Sequence, residues 1–241
     1  MTEAVSVRGL IKSYGDRTVL NGLDLSVRSG TVFGLLGANG AGKSTAIECI
    51  LGTKKADGGT VLLLGQSPEQ NRKELFEKIG VQFQEGDYQQ EILVSELCEE
   101  TGCLYRNPAD WKNLCVQFGI GERIKSQVKS LSGGERQRLF LVLALIPGPE
   151  LVFLDELTTG LDVKARCEVW KTLEMLKAQG LTIFLTSHFM DEVEALCDEI
   201  CILKSGNKVF SGTVEEAKRE CGCSRFEDAY LMFTEEEREN E

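Results

Sequence analysis

Gly37-Ala38-Asn39-Gly40-Ala41-Gly42-Lys43-Ser44-Thr45 fits the pattern GxxxxGK[ST] at every fixed position, and how this stretch is read decides the fold. Glycines at these intervals let successive backbone N–H groups turn inward. A helix that begins at the end of the stretch adds its positive pole, so the whole forms a cradle for phosphate. Lys43 would reach the terminal phosphates, and the Ser44 hydroxyl would ligate Mg²⁺. The pattern is permissive taken alone, so its flanks matter. Val32-Phe33-Gly34-Leu35-Leu36 supplies an apolar strand before it. Thr45 to Leu51, stopped by Gly52, supplies a helix after it. A glycine-rich turn that binds nothing has no need of either flank.

Working outward, Val5, Val7 and Leu10-Ile11, then Val19, Leu23, Leu25 and Val27, read as short strands with turns at Gly15-Asp16 and Asn21-Gly22. They make an antiparallel lead-in to the nucleotide strand. Beyond the loop helix, Gly58-Gly59 marks a turn, Thr60 to Leu64 a strand, Pro68 to Lys78 a charged helix, and Ile79 to Phe83 another strand. From there to about Ser130 the pattern is helical. Trp111, Leu114, Cys115 and Phe118 form one apolar stripe, while Leu93, Leu97 and Leu104 make a looser one. The α/β pattern returns with strands at Leu151 to Leu154, Leu181 to Leu185, Ile200 to Leu203 and Lys208 to Phe210. Helices are expected from Asp162 to about Ala178, from Met190 to about Leu196 and from Glu215 to Glu220. The fold class is therefore α/β: a P-loop NTPase core whose mixed sheet has an antiparallel N-terminal part and helices on both faces, with an inserted all-α subdomain. The core occupies residues 1–84 and 131–220 and the helical subdomain 85–130. A C-terminal helix and acidic tail fill 221–241.

Bulk composition narrows the partners. At 241 residues the chain can bury a large core. Its 27 Lys and Arg against 38 Asp and Glu leave a net charge of −11, which argues against a sequence-nonspecific nucleic-acid binder. Met1-Thr2-Glu3-Ala4 places an acid where a secretory leader carries basic residues. The longest apolar run, Leu139 to Ile146, falls far short of the ~20 residues that cross a bilayer. The expectation is a soluble, cytosolic protein, any membrane role of which must come through another chain. Nine cysteines, an odd number without paired CxxC clusters, read as reduced thiols. Cys221-Gly222-Cys223 and the Cys197/Cys201 pair come closest to a redox or metal grouping.

Leu151-Val152-Phe153-Leu154-Asp155-Glu156 is an apolar strand tipped by two acids. Behind a phosphate loop, a carboxylate at such a tip can hold Mg²⁺ while the next one orients and deprotonates an attacking water, so Asp155 is assigned to the metal and Glu156 to the water. Leu131-Ser132-Gly133-Gly134-Glu135 reads first as a helix start, with Ser132 and Glu135 forming a capping box. The second glycine is unneeded for capping. Placed between a phosphate loop and an acid-tipped strand, LSGGE resembles the signature of ABC-type ATPases. A capped helix start with exposed glycine backbone is itself a phosphate-binding surface.

The resemblance implies that the signature of one subunit (here Ser132, Gly133, Gly134 and Glu135) serves ATP held on the loop of another. With one loop and one signature, the chain looks like half of a head-to-tail dimer. Thr158-Thr159-Gly160-Leu161-Asp162 looks like the loop that crosses this interface, although Asp162 is equally suited to cap the following helix. His188, the only histidine, matches the residue that senses the γ-phosphate. Tyr14 resembles the aromatic that stacks on adenine; an exposed strand-end tyrosine is the other reading. Gln84 resembles the glutamine that touches Mg²⁺ and water, with Gln82 a rival on the same strand. The family usually has proline after the acid pair, where Leu157 stands here; the expectation is retained hydrolysis with a looser turn.

Ser187 to Glu194, Ile202 to Val209 and the closing Arg225 to Leu231 are similar to ATPase subunits of ABC-2-type exporters, though the last is equally a short amphipathic helix. The resemblance implies an ATP- and Mg²⁺-dependent subunit, peripheral on the cytoplasmic membrane face. It would pair with a second ATP-binding subunit and drive a separate transmembrane permease. A soluble ABC-type ATPase acting on nucleic acid or protein assembly is the alternative, and a nucleotide-binding regulator that does not hydrolyse is a third reading.

Overall fold

The computed structural model describes residues 2–82 and 91–235. Gly15-Asp16 turns the chain as the sequence predicts, but the strands on either side are long rather than short: β1 (Glu3–Tyr14) and β2 (Arg17–Arg28). Asn21-Gly22 is no turn. The β1–β2 register slips nearby, and the local irregularities bend the ribbon without ending it. β4 (Gly58–Leu63) adds to the other side of β1, giving an antiparallel sheet in the order β2-β1-β4. Gly58-Gly59 thus begins a strand instead of forming a turn. The lead-in is a sheet of its own and does not pair with the nucleotide strand.

A second sheet carries the chemistry. It contains β3 (Val32–Gly37), β5 (Ile79–Gln82), β6 (Leu151–Asp155), β7 (Thr182–Thr186), β8 (Glu199–Lys204) and β9 (Asn207–Gly212) in the order β5-β6-β7-β3-β8-β9. All pairings are parallel except the last. Near-continuous apolar residues on β3, β6 and β7 follow from burial on both faces, as parallel sheets require. Because β6 and β3 flank β7, the C-terminal ends of all three open on one edge. Phe33, Phe153 and Phe184 stack across that trio, with centroids 5.3 and 4.9 Å apart.

Helix α1 (Lys43–Ile50) follows β3 as expected, whereas Pro68 to Lys78 yields only a short helix, α2 (Arg72–Phe76). The helical stretch contains α3 (Val94–Gly102) and α4 (Trp111–Gln117), and Leu114, Cys115 and Phe118 of the apolar stripe are buried. The long helices α5 (Gly133–Leu145) and α6 (Val163–Ala178) share one hydrophobic cluster with α3, α4 and one face of the parallel sheet. The remaining helices are α7 (Met190–Leu196), α8 (Val214–Cys221) and α9 (Phe226–Thr234), which cover β8 and β9. None of the described helices is long and apolar enough to cross a membrane.

Two buried positions test this packing. A Cβ on Gly80 of β5 would lie 1.9 Å from the Ala144 carbonyl oxygen of α5, so Gly80→Ala must push helix from sheet. We expect a loss of roughly 1–3 kcal/mol in urea unfolding; an unchanged midpoint would show that α5 does not press on the strand. Glu192 of α7 is buried, and its Oε1 accepts a hydrogen bond from Trp170 Nε1 at 2.9 Å. Burial pushes its carboxyl above the ordinary value, outweighing the hydrogen bonds that lower it. A folded-state value raised this way gives stability that is present at low pH and lost as pH rises through it. Wild-type stability should therefore fall more steeply from pH 5 to pH 8 than that of Glu192→Gln, and parallel curves would contradict it.

Candidate active site

The shared edge of β3, β6 and β7 gathers the chemistry-bearing residues. The loop leaves β3 at Gly37 and enters α1 through Gly42, whose φ of +107° suits a residue without Cβ. A Cβ there would also come within 2.9 Å of the Val19 carbonyl oxygen. The Lys43 ammonium is buried and donates to the carbonyl oxygens of Gly37 at 2.7 Å and Ala38 at 3.3 Å. Burial pulls it below its ordinary value, and the charges of Glu156 and Asp155 oppose that pull. Asn39, Gly40, Gly42, Lys43, Ser44 and Thr45 line a cleft of about 620 Å³ that Glu156 and His188 also line. Ala41 is buried behind the loop.

Asp155 is the last residue of β6 and pairs in register with Thr186 of β7. The Thr186 hydroxyl donates to Asp155 Oδ1 at 2.5 Å and accepts from the Glu156 backbone N–H at 3.1 Å. The same N–H reaches the Thr186 carbonyl oxygen at 3.2 Å. One buried hydroxyl therefore sets both acids. Glu156 has φ +50°, a left-handed conformation that residues with a Cβ rarely adopt and that concentrates at functional sites. Its Oε1 lies 2.6 Å from His188 Nε2, so a neutral imidazole protonated there donates to the carboxylate.

The oxygen donors on this edge suit a hard divalent cation: a hydroxyl from Ser44 and a carboxylate from Asp155, beside a phosphate cradle. Acid, histidine, lysine and helix start together form a constellation able to bind a nucleotide's phosphates and to activate water against the terminal one.

Other expected residues fall elsewhere. Ser132 caps α5, with Glu135 N–H donating to its hydroxyl at 3.2 Å and Glu135 Oε2 accepting from the Ser132 N–H at 2.8 Å. Around Gly133 nothing lies within 4 Å of where a Cβ would stand. These residues and Gly134 do not line the cleft. Asp162 caps α6, accepting from the Ala165 N–H at 2.9 Å. Tyr14 is exposed at the β1 end, with the Lys12 and Lys54 ammonium groups 5.4 and 5.6 Å from its ring centroid. It is not among the cleft-lining residues; its neighbours Arg17 and Val19 are. Gln82 ends β5, buried and paired with Leu154, and Gln84 lies outside the described residues. Sequence reasoning missed Arg17, which the Gly15-Asp16 turn could have placed. It also missed Thr186, a polar residue closing an apolar strand just ahead of His188.

Comparison with known proteins agrees with this geometry. Residues 20–159 match the family described as ABC transporter. The chain is 40% identical to the Nod factor export ATP-binding protein I of Ralstonia nicotianae over 228 residues, which cover 92% of this chain and 71% of that protein. It is 42% identical to the protein of the same name from Rhizobium sp. (strain N33), covering 87% and 71%. A solved structure titled as the ATP-binding subunit of an ABC transporter superposes with a TM-score of 0.88 at 25% identity, over 96% of this chain and all of that one. With the phosphate loop, the acid pair and the histidine on one sheet edge, the chain belongs to the ABC transporter family as an ATP-binding subunit, an ATPase coupled to transport.

Proposed function

We propose that this chain powers an exporter, closing on a second ATP-binding subunit around two nucleotides and driving a separate transmembrane permease from the cytoplasmic face. Export is supported by the two relatives named above, whose printed names describe export ATP-binding proteins. The observation that carries the rest is the separation within one chain. The loop, Glu156 and His188 share a cleft, while Ser132, Gly133 and Gly134 start a helix outside it, with open space around Gly133. A second subunit would bring its own such helix start to this cleft.

In this reading Lys43 and the loop N–H groups hold the phosphates, and Ser44 and Asp155 hold Mg²⁺, with Gln84 as a further ligand. The ion would neutralise phosphate charge. Glu156 takes the proton of the attacking water while His188 orients Glu156 and meets the γ-phosphate. Tyr14 stacks on the base, and the Thr158 to Asp162 loop crosses to the partner. The soluble alternative, acting on nucleic acid or protein assembly, has no observation in its favour.

Two measurements test the assignment. Glu156→Gln should lower ATP turnover by roughly a hundredfold or more, while MgATP shifts the purified variant from monomer to dimer in light scattering. A variant that binds ATP and stays monomeric means that the partner is a different ATPase chain or that the membrane subunit is needed to bring two copies together, and the claim that the chain dimerises by itself is withdrawn. Thr186→Val should lower turnover by roughly ten- to a hundredfold, the effect of losing a hydrogen bond to a charged group, and should raise the Mg²⁺ concentration needed for half-maximal activity. Thr186→Ser should restore both. An unchanged Mg²⁺ dependence would show that Thr186 does not position Asp155.

A further inference from the structure

Helix α8 ends in a tight left-handed turn. Gly222 has φ +66°, its N–H donates to the Arg219 carbonyl at 3.2 Å, and the Cys223 N–H reaches back to the Lys218 carbonyl at 2.9 Å. This closure folds Cys223 back over the helix end, so that its thiol lies 3.7 Å from the Cys221 carbonyl oxygen. The Cys221 thiol points at α9, 3.9 Å from the Ala229 carbonyl oxygen. Three residues further along α9, on the same face, Met232 sets its Sδ 3.5 Å from Cys223 Sγ. Two thiols and a thioether therefore lie along the seam between the α8 turn and α9, with the Cys223 and Met232 sulfurs in direct contact and the Cys221 thiol against the Ala229 carbonyl. The cysteines are half-buried, both are free thiols, and Met232 is 60% exposed, so the group is open to solvent.

We propose that Cys221, Cys223 and Met232 form a binding site for a soft monovalent metal ion, Cu(I). Thiolate and thioether sulfur select soft ions. A structural zinc site wants four ligands in a tetrahedron, and among the described residues no group of three or more His, Cys, Asp or Glu is placed to hold an ion. The chain's one histidine is engaged with Glu156. Two sulfurs at about 2.3 Å from a shared ion and a trigonal angle apart stand about 4 Å from each other, so the Cys223–Met232 pair needs to open only slightly. Of the remaining thiols, Cys197 packs its sulfur against Gly34, Cys49, Cys98, Cys115 and Cys201 are buried, and exposed Cys103 and half-buried Cys167 are single thiols, one just beyond α3 and the other on α6. Binding is ligand exchange without redox change. Cu(I) forms bonds to two thiolates and one thioether, and the two thiols release two protons.

The test is an anaerobic titration of the reduced full chain with Cu(I) supplied as its bathocuproine disulfonate complex. The expected result is one equivalent withdrawn from the probe, a rise in melting temperature as the ion ties the turn to α9, and no displacement by excess Zn²⁺. Cys221→Ser/Cys223→Ser should lose the equivalent, and Met232→Leu, at an exposed position with little risk to folding, should lose the ability to compete with the probe. Failure of the wild type to withdraw copper overturns the site. Retention by the double serine variant places the copper elsewhere and does the same, and an unchanged affinity in Met232→Leu overturns the three-sulfur set.

Discussion

The register between β6 and β7 is the constraint on which the site depends. Parallel pairing sets Asp155 opposite Thr186, and the buried hydroxyl of Thr186 is shared between the Asp155 carboxylate and the Glu156 backbone. A slip of one residue would turn every side chain of β7 to the other face. It would move Phe184 out of the stack with Phe33 and Phe153, so the hydrophobic layer locks the polar one. The two residues that follow Thr186 then deliver His188 to Glu156. Packing of three rings thus fixes the reach of an acid–base pair at the sheet edge.

The same edge explains the behaviour of Lys43. A buried ammonium is costly unless anions or carbonyls face it. Here two loop carbonyls accept from it, while Asp155 and Glu156 offset the burial that favours its neutral form. Nucleotide phosphates would extend that compensation, so the loop is built for an anion that completes the charge balance. Charge compensation and sheet register therefore act on the same few residues, and one is not separable from the other by mutation.

Much of this was legible in the sequence because its signals are local. The glycine pattern from Gly37 to Gly42, the apolar strand ending in Asp155 and the capping box at Ser132 each lie within one short stretch, and each appears where expected. The misreadings have tertiary causes. Asn21-Gly22 carries a turn signature, yet pairing with β1 holds it inside a strand. Gly58-Gly59 likewise joins β4 because β1 offers an edge. Thr186 was invisible because its role depends on which strand lies beside it, and no spacing along the chain encodes the order β6-β7-β3. Asp162 was equally balanced between cap and interface loop. The structure supplies its capping bond.

Leu157 shows how a departure from a family pattern is absorbed. A proline after the acid pair would stiffen the turn, an effect usually worth about 0.4–1 kcal/mol through the unfolded chain. Leucine gives that up, but its side chain is buried within the cluster that also holds Val169 and packs Leu161. Burying a leucine contributes roughly 1.5–3 kcal/mol, which offsets the lost stiffness. The turn is further closed by the Thr159 N–H on the Glu156 carbonyl at 3.2 Å and the Leu161 N–H on the Thr158 carbonyl at 3.1 Å. These contacts close the turn with leucine in place of proline. Glu156 keeps its left-handed conformation because Thr186 holds its N–H from behind while Leu157 anchors the residue in front.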